Sequence, residues 1–329
     1  MAHQDSGSGA LSGLPLTVAS HRGVPSALAI VGVTASGKSA AAAAIARRLG
    51  NAEIISVDSM QVYREMDIGT DKPPASVRDE LPHHLIDVAD PSEDYSLTMF
   101  QAAARRARAD IGARRRHAVL VGGTGLYYRA VIDDLDIPGR FPDTAAVLEQ
   151  EPDTAALHLR LAELDPVAAS RIEPANRRRT LRALEVTVGS GRPFSSYGPG
   201  LGEYPPRGIV QVGLWRARAE VDRLIEQRYH RQMADGFLAE VEALAARQPP
   251  LSRTASQALG YKELLDCVRG GISRAEAVAL AVSRTRRFAR RQERWFRRDP
   301  RIVWLDAAAG AEALADEVLS RFPQFGVGD

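Results

Sequence analysis

The sequence is poor in the residues that build covalent or metal-based crosslinks. Its 329 residues include one cysteine, Cys267, which excludes an internal disulfide and a zinc site made of several cysteines. The adjacent His83 and His84 make a poor chelate without cysteine or carboxylate partners, so we do not expect zinc there. Such cysteine usage is typical of a reducing cytosol, and we expect a cytoplasmic protein without redox chemistry.

Long apolar runs are also missing. No stretch reaches the roughly 18 uninterrupted apolar residues that a membrane-spanning helix needs. Residues 1–24 have neither a charged start nor a long apolar run, unlike a signal peptide, and we interpret them as a flexible leader. We therefore expect a soluble protein with no membrane partner.

What is present is ordinary for a globular protein. Hydrophobic residues make up 45% and charged residues 26% of the chain, so enough apolar surface exists to offset the entropy lost on folding. The length suits a core domain with an insertion. The formal net charge is only +2, but the arginines cluster, which predicts local basic surfaces.

Short apolar runs recur along the chain, with helix-forming segments between most of them. They occur at 27–31, 54–57, 118–121, 209–214 and 302–305. This alternation predicts an α/β fold, a parallel sheet flanked by helices with ligands at the carboxyl ends of the strands. Helices are expected around 40–49, 220–247, 261–268 and 274–298. The strand pattern stops at 134–207, so we expect a helical insertion there, within a core domain of 25–133 and 208–329.

Residues 32–39, Gly-Val-Thr-Ala-Ser-Gly-Lys-Ser, match the phosphate-binding pattern G-x-x-x-x-G-K-[ST] between a predicted strand and helix. Glycines let the backbone wrap around an anion, and the helix N-terminus points its N–H groups at it. Lys38 adds a mobile positive charge, and the Ser39 hydroxyl can hold Mg²⁺. The pattern predicts a diphosphate or polyphosphate site formed by Gly32, Thr34, Ala35, Ser36, Gly37, Lys38 and Ser39.

The acid expected of a nucleotide-hydrolysing enzyme with this loop is absent from its usual strand. The run at 118–121 is followed by Gly122-Gly123-Thr124-Gly125 instead of Asp or Glu. A carboxylate stands elsewhere, because Asp58 follows an earlier strand, twenty residues after Lys38. There it could take a proton or hold a metal, and its alternative role is a helix cap or turn former.

Five separated segments resemble the bacterial tRNA dimethylallyltransferase family, prenyltransferases that act on an adenosine beside the anticodon. With 83–90 and an arginine-rich helix, they cover the chain from about residue 26 to 306. Ordered agreement at five places is too specific for chance. The segments are Gly-Val-Thr-Ala-Ser-Gly-Lys-Ser (32–39), Val-Asp-Ser-Met-Gln-Val-Tyr with Met-Asp-Ile-Gly-Thr-Asp-Lys-Pro (57–63 and 66–73), Val-Gly-Gly-Thr-Gly-Leu-Tyr (121–127), Asn-Arg-Arg-Arg-Thr-Leu-Arg-Ala-Leu-Glu-Val (176–186) and Gln-Ala-Leu-Gly-Tyr-Lys-Glu (257–263).

The resemblance implies a reaction in which a dimethylallyl group passes from dimethylallyl diphosphate to N6 of adenosine 37 in tRNAs that read codons starting with U. The phosphate loop would then hold a leaving group whose charge develops in the transition state, with Mg²⁺ on Ser39 as the implied cofactor. By the same resemblance, Asp58 takes the amine proton, Thr124 lies near the reacting centre and Arg228 supplies a further cation. Thr124 also fits a helix cap, and Arg228 also fits an exposed helical arginine.

An adenine stacked in an anticodon loop must be pulled into a pocket while basic surface follows the RNA backbone. Arginines are concentrated in the insertion and at 284–298, where Phe288, Trp295 and Phe296 interleave with them. We expect the aromatics in the core and the arginines on phosphates; a merely solvated helix is the alternative. The residues assigned to the tRNA anticodon stem-loop are Asp58, Ser59, Met60, Gln61, Arg178, Arg179, Arg182, Gln257, Arg287 and Arg291.

Two other functions stay open on the residues alone. A small-molecule kinase would use the same loop to transfer phosphate from ATP. A non-catalytic RNA-binding protein would carry a decayed loop, which the intact Lys38, Ser39 and Asp58 argue against. We expect the enzyme to act as a monomer.

Overall fold

A computed structural model of the chain describes residues 27–198 and 200–325. The leader expected at 1–24 therefore lies outside the described residues. The strands are β1 (Ala27–Gly32), β2 (Ala52–Val57), β3 (His83–His84), β4 (His117–Gly122), β5 (Val210–Trp215) and β6 (Val303–Asp306). The α-helices are α1 (Lys38–Leu49), α2 (Ala75–Glu80), α3 (Leu97–Ala113), α4 (Gly125–Ile132), α5 (Pro142–Glu149), α6 (Thr154–Leu164), α7 (Pro166–Arg171), α8 (Arg177–Ser190), α9 (Arg218–Ala234), α10 (Phe237–Ala245), α11 (Arg253–Ser256), α12 (Tyr261–Val268), α13 (Arg274–Phe296) and α14 (Ala311–Arg321).

These strands form one parallel sheet with β1 in its interior. The strand order is β3-β2-β4-β1-β5-β6, and Ile30 of β1 lies opposite Val121 of β4 and Val212 of β5. The predicted α/β fold is confirmed, and each of the five apolar runs contributes a strand. The strand β3 was not predicted, because it consists only of His83 and His84 and has no apolar run. It lies at the sheet edge beside β2.

Alternate residues of the interior strand enter two separate apolar layers. Leu28 and Ile30 pack with α1 and α14, whereas Ala29 and Val31 pack with α3, α4, α9, α12 and α13. The strands β1, β2 and β4 are buried along almost their whole length. Burial on both faces explains why their sequences are mostly continuous apolar runs rather than alternating patterns.

The helical segment expected at 220–247 is two helices, α9 and α10. Gly236 separates them with φ of 101°, a left-handed conformation that glycine adopts without steric cost. This break lets α9 run past the end of β1 while α10 turns to cover the loop at 66–73. Every helix within residues 27–198 and 200–325 is too short or too polar to cross a bilayer.

Between Asp133 and β5, the described residues form helices and loops instead of strands. Helices α5 to α8 enclose a small apolar core of their own around Leu157, Leu161 and Leu184. The segment that leads from α4 into these helices and the segment that returns to β5 both contact one buried ionic network. Arg129 pairs with Asp133 and also donates to the carbonyl oxygens of Leu201 and Glu203.

Candidate active site

The phosphate loop leaves β1 at Gly32 and enters α1 at Lys38. Two residues in it have left-handed backbone, Ala35 with φ of 61° and Gly37 with φ of 90°. Gly37 is the N-cap of α1 and offers no side-chain acceptor to the first turn. The first N–H groups of the helix therefore stay available to an anion, which the helix dipole also favours.

The side chains of the loop divide into buried supports and exposed ligand groups. Ser36 is fully buried beneath Gly32, where a Cβ would lie 2.7 Å from the Ser36 hydroxyl. Its N–H donates to the Val33 carbonyl oxygen at 3.2 Å, so in this geometry Ser36 shapes the loop. Ser39 is exposed at the mouth. Lys38 curls back so that Nζ donates to the same Val33 oxygen at 3.2 Å.

The charge on Lys38 is sensitive to its surroundings. The pKa of its ammonium is lowered from 10.5 to about 8, with burial as the main cause. The positive charge of Arg228 acts in the same direction, whereas Asp58 and Asp71 favour the protonated form. A diphosphate at the loop would raise this pKa again, since an anion stabilises the ammonium.

Asp58 stands at the carboxyl end of β2, beside the loop. Its Oδ1 accepts the N–H of Met60 at 2.8 Å and the N–H of Gln61 at 3.4 Å, so it does form the turn that was its alternative role. Both contacts use Oδ1, which leaves Oδ2 to accept a proton. The half-buried Tyr127 is also close, but burial raises the pKa of its phenol to about 12, which makes Asp58 the better candidate base.

Thr124 stands at the end of β4, the strand next to β2. It is the N-cap of α4 by position, but its side chain makes no capping bond. Instead, Oγ1 accepts the N–H of Ser59 at 3.4 Å. The side chain therefore faces the Asp58 turn across the site.

Arg228 reaches the loop from α9. Its Nη1 donates to Thr34 Oγ1 at 3.0 Å and lies 3.8 Å from Asp71 Oδ2. The side chain is 17% exposed, so it is not the exposed helical arginine of the alternative interpretation. Its buried Nε has no hydrogen-bond partner among the described residues, so one donor of this guanidinium is unused.

The residues assigned to tRNA fall into three groups by their contacts and exposure. Gln61 is held internally, because its Nε2 donates to the Thr70 carbonyl oxygen at 3.1 Å and its Oε1 accepts from Ser56 at 2.7 Å. Arg182 is also an internal contact, since Nη2 donates to the carbonyl oxygens of Pro138 and Gly139. The exposed group comprises Arg178, Arg179, Gln257, Arg287 and Arg291, while Ser59 and Met60 are half-buried beside Asp58.

Two functional candidates, Asp71 and Gln292, were not predicted from the sequence. Asp71 lies beside Arg228, from the loop that follows β2. Gln292 is buried in α13, where its Oε1 accepts the N–H of Thr34 at 2.9 Å and its Nε2 donates to the Gly123 carbonyl oxygen at 2.8 Å. One signal was available: Gln292 interrupts an otherwise small or apolar stripe that includes Ala289 and Phe296.

The donor set at the mouth suits a magnesium ion better than a transition metal. In the part of the chain that the structure describes, no three His, Cys, Asp or Glu side chains group as metal ligands. His84 Nε2 lies 2.6 Å from Glu53 Oε2 and is thus an internal contact. Mg²⁺ commonly binds through few protein oxygens, phosphate oxygens and water, and the exposed Ser39 hydroxyl offers one such oxygen.

Two family models match the chain. One, described as IPP transferase, matches residues 61–299, and the other, described as isopentenyl transferase, matches residues 25–82. The first alone spans more than half of the chain. Their boundaries together include the phosphate loop, Asp58, Thr124 and Arg228.

Known proteins resemble the chain along most of its length. The tRNA dimethylallyltransferase of Kineococcus radiotolerans is 46% identical over 306 residues, which covers 90% of this chain and 96% of that protein. The tRNA dimethylallyltransferase of Salinispora arenicola is 46% identical over 292 residues, which covers 88% and 84%. A crystal structure of tRNA delta(2)-isopentenylpyrophosphate transferase from Staphylococcus epidermidis has a TM-score of 0.67 and 31% identity, over 91% of this chain and 99% of that one.

Proposed function

The chain belongs to the IPP transferase family, and we propose that it moves a dimethylallyl group from dimethylallyl diphosphate to N6 of adenosine 37 in tRNAs that read codons starting with U. The broader activity, prenylation of tRNA, follows from relatives that match nearly the whole chain. One observation carries the site-level proposal: the phosphate loop, Asp58 and Thr124 follow the carboxyl ends of β1, β2 and β4, and Arg228 contacts the loop from α9.

The phosphate loop is proposed to bind the diphosphate of the donor. As the carbon–oxygen bond breaks, its electron pair goes to the departing diphosphate, so groups that bind the product charge lower the barrier. Lys38, the first N–H groups of α1 and the Arg228 guanidinium supply that charge stabilisation. Thr34 holds Arg228 beside the loop at 3.0 Å.

The acceptor amine is proposed to lie between Asp58 and Thr124. Its nitrogen forms a bond to the allylic carbon while the bond from that carbon to the diphosphate oxygen breaks. The amine proton passes to Asp58 Oδ2, since Oδ1 is held by the turn. Thr124, which faces the turn through Ser59, orients the amine.

Mg²⁺ would be held by the Ser39 hydroxyl together with donor phosphate oxygens. When bound, such an ion neutralises charge on the leaving group. The insertion and the exposed arginines of α13 are proposed to hold the anticodon stem-loop, with 134–207 as the RNA-binding subdomain and 25–133 with 208–329 as the core. One chain contains every proposed site residue, so we infer that it acts as a monomer. We infer a cytoplasmic location from its proposed tRNA substrate and from the single cysteine.

The kinase alternative is not favoured. The relatives at 46% identity are tRNA dimethylallyltransferases that match over most of their length. In addition, β4 ends at Gly122 and is followed by Gly123, where a nucleotide hydrolase has an acid. A non-catalytic RNA-binding protein is not favoured either, because Lys38, Asp58 and Arg228 are all assembled at the loop.

The proposed function is tested by incubating the protein with Mg²⁺, dimethylallyl diphosphate and an unmodified tRNA that has adenosines at 36, 37 and 38. The nucleosides are then analysed by mass spectrometry. We expect one new prenylated adenosine, located at position 37. If the folded protein yields no product, the proposal is overturned. If it consumes ATP in the absence of RNA, the kinase alternative is supported instead.

The Asp58→Asn variant tests whether Asp58 is the base in the chemical step. Asparagine keeps an oxygen that can accept the Met60 N–H, so the turn survives while the base is lost. We expect kcat to fall about 100-fold or more, with tRNA binding unchanged by filter binding. Unchanged turnover would remove Asp58 from the mechanism while leaving the prenyltransferase assignment intact.

A further inference from the structure

Gln292 connects two loops that carry different halves of the proposed reaction. Its side-chain oxygen accepts the N–H of Thr34, 258 residues away in sequence, at 2.9 Å. Its side-chain nitrogen donates to the carbonyl oxygen of Gly123, 169 residues away, at 2.8 Å. The first loop would hold the donor diphosphate, and the second ends at Thr124, beside the acceptor amine.

The bridge uses both ends of the amide: the hydrogen bond to Gly123 is buried, and the one from Thr34 is partly buried. Gln292 is buried, and a Cβ at Gly123 would overlap its amide nitrogen. A Cβ at Gly125 would likewise overlap the ring of Trp295, one turn further along α13. The two glycines therefore allow α13 to approach the end of β4 closely enough for the amide to reach both loops.

The two loops have no comparable constraint from their own strands. β1 is paired with β4 as far as Val31 and with β5 as far as Gly32, and β4 is paired as far as Gly122, so Thr34 and Thr124 lie beyond the last paired residues. Buried polar atoms with satisfied partners hold such segments strongly, because breaking the bond leaves an unpaired group in a dry environment. Gln292 supplies that bond to both segments at once.

We propose that Gln292 is a positioning residue that sets the distance between the bound donor and the acceptor amine. This inference rests on the proposed function. Fixing Thr34 also fixes Arg228, which donates to the Thr34 hydroxyl at 3.0 Å. Fixing Gly123 places Thr124 opposite the Asp58 turn. Reactions that need two aligned partners lose rate steeply when the partners move by about 1 Å.

The test uses Gln292→Met, which keeps the side-chain length and removes both hydrogen bonds. The matched control is Gln101→Met in α3. Gln101 is equally buried, and its Nε2 donates to the carbonyl oxygens of Ala130 and Leu135 at 2.8 and 2.9 Å, away from the loop. Thermal unfolding, kcat, and KM for tRNA and for dimethylallyl diphosphate are measured for both variants and the unchanged chain.

We expect both variants to melt at a lower temperature than the unchanged chain. Only Gln292→Met should lose kcat, by about 10- to 100-fold, with KM for tRNA within about twofold because its RNA-facing surface is untouched. Equal kcat in the two variants would overturn the inference. An unchanged chain that makes no prenylated adenosine would instead overturn the proposed function, so the two failures are distinguishable.

Gln292→Glu provides a second readout if the methionine variant does not fold. An ionised glutamate accepts the Thr34 N–H but cannot donate to the Gly123 carbonyl oxygen, whereas a protonated glutamate does both. The kcat of this variant, relative to the unchanged chain, should rise severalfold as pH falls from about 8 to about 6, since burial favours the neutral acid. A pH-independent ratio would contradict the bridging role.

Discussion

Lys38 and Arg228 place two positive charges on the same side of the phosphate loop. Burial is the main cause that lowers the pKa of Lys38 to about 8; Asp58 opposes the shift, and Arg228 adds to it by repulsion. Asp71 partly offsets this repulsion, because it lies 3.8 Å from Arg228 and also favours protonated Lys38. In the free site, Lys38 is therefore close to its pKa of about 8. Binding of an anionic ligand would favour its protonated, charged form.

This balance predicts how diphosphate binding depends on pH. Binding a diphosphate raises the pKa of Lys38 above its free value of about 8, so binding takes up a proton at higher pH. Affinity is then full below pH 8 and falls as pH rises through and above 8. Calorimetric titration with inorganic diphosphate between about pH 7 and pH 9.5 measures this.

The Lys38→Met variant is the control for ionisation of the diphosphate itself. The variant has no ammonium to titrate, so its weaker affinity should show only the pH dependence of diphosphate and of the remaining groups. We expect the difference between the two curves to grow smaller above pH 8. Parallel curves across the whole range would contradict a titrating Lys38 at the site.

At the scale of elements, α13 has two opposite faces with different tasks. The buried face carries Thr285, Ala289, Gln292 and Phe296 and contacts the sheet. The opposite face exposes a stripe at helical spacing, formed by Arg287, Arg291 and Arg294, and the exposed Arg298 follows just after the end of the helix. Two other arginines of α13 make internal ion pairs, Arg284 with Glu263 and Arg286 with Glu226, so we expect phosphate contacts chiefly from the exposed stripe.

The exposed stripe predicts an electrostatic contribution to RNA binding. Replacing Arg287 and Arg291 together by glutamine should weaken tRNA binding and reduce the slope of log K against log salt by about 1 to 2. Arg286→Gln is the matched control on the same helix, since its charge is already satisfied by Glu226 and the Asp222 carbonyl oxygen. Equal slopes in the double variant and the unchanged chain would exclude this face from the RNA contact.

At the scale of the whole molecule, one buried network connects the insertion to the sheet. Asp133 contacts Arg129 and accepts from Arg301 Nη1 at 2.6 Å, and Arg301 also donates to the Pro205 carbonyl oxygen at 2.7 Å. The outgoing and returning connections are thereby held at the same point.

Loss of this network should lower the stability of the chain. Asp133→Asn leaves two buried guanidinium groups without their shared carboxylate, so we expect the free energy of unfolding to fall by about 3 kcal/mol. The neighbouring Asp134 is 62% exposed and pairs with Arg105 at the surface, so Asp134→Asn should cost less than about 1 kcal/mol. Urea denaturation followed by circular dichroism compares them, and equal losses would contradict the role of Asp133.

Much of the fold and part of the site could be predicted from contiguous residues. The five apolar runs, the loop at 32–39 and the acid at the end of β2 are each encoded within a few residues of one another. The same reasoning was weaker for isolated arginines. Arg182 looks like an RNA-binding residue, but its guanidinium donates to the Pro138 and Gly139 carbonyl oxygens, a contact 44 residues away that local spacing does not encode.

The order of residues along the chain is enough to specify a parallel sheet, a phosphate loop at the end of its first strand and membership of a prenyltransferase family. Those features depend on periodicity and on short motifs, whose physics is local. Folding alone decides that Arg228 reaches Thr34, that Asp71 balances it, and that Gln292 joins Thr34 to Gly123. Each of these contacts joins residues of distant segments, and packing of α9 and α13 against the sheet brings them within hydrogen-bonding or ion-pairing distance.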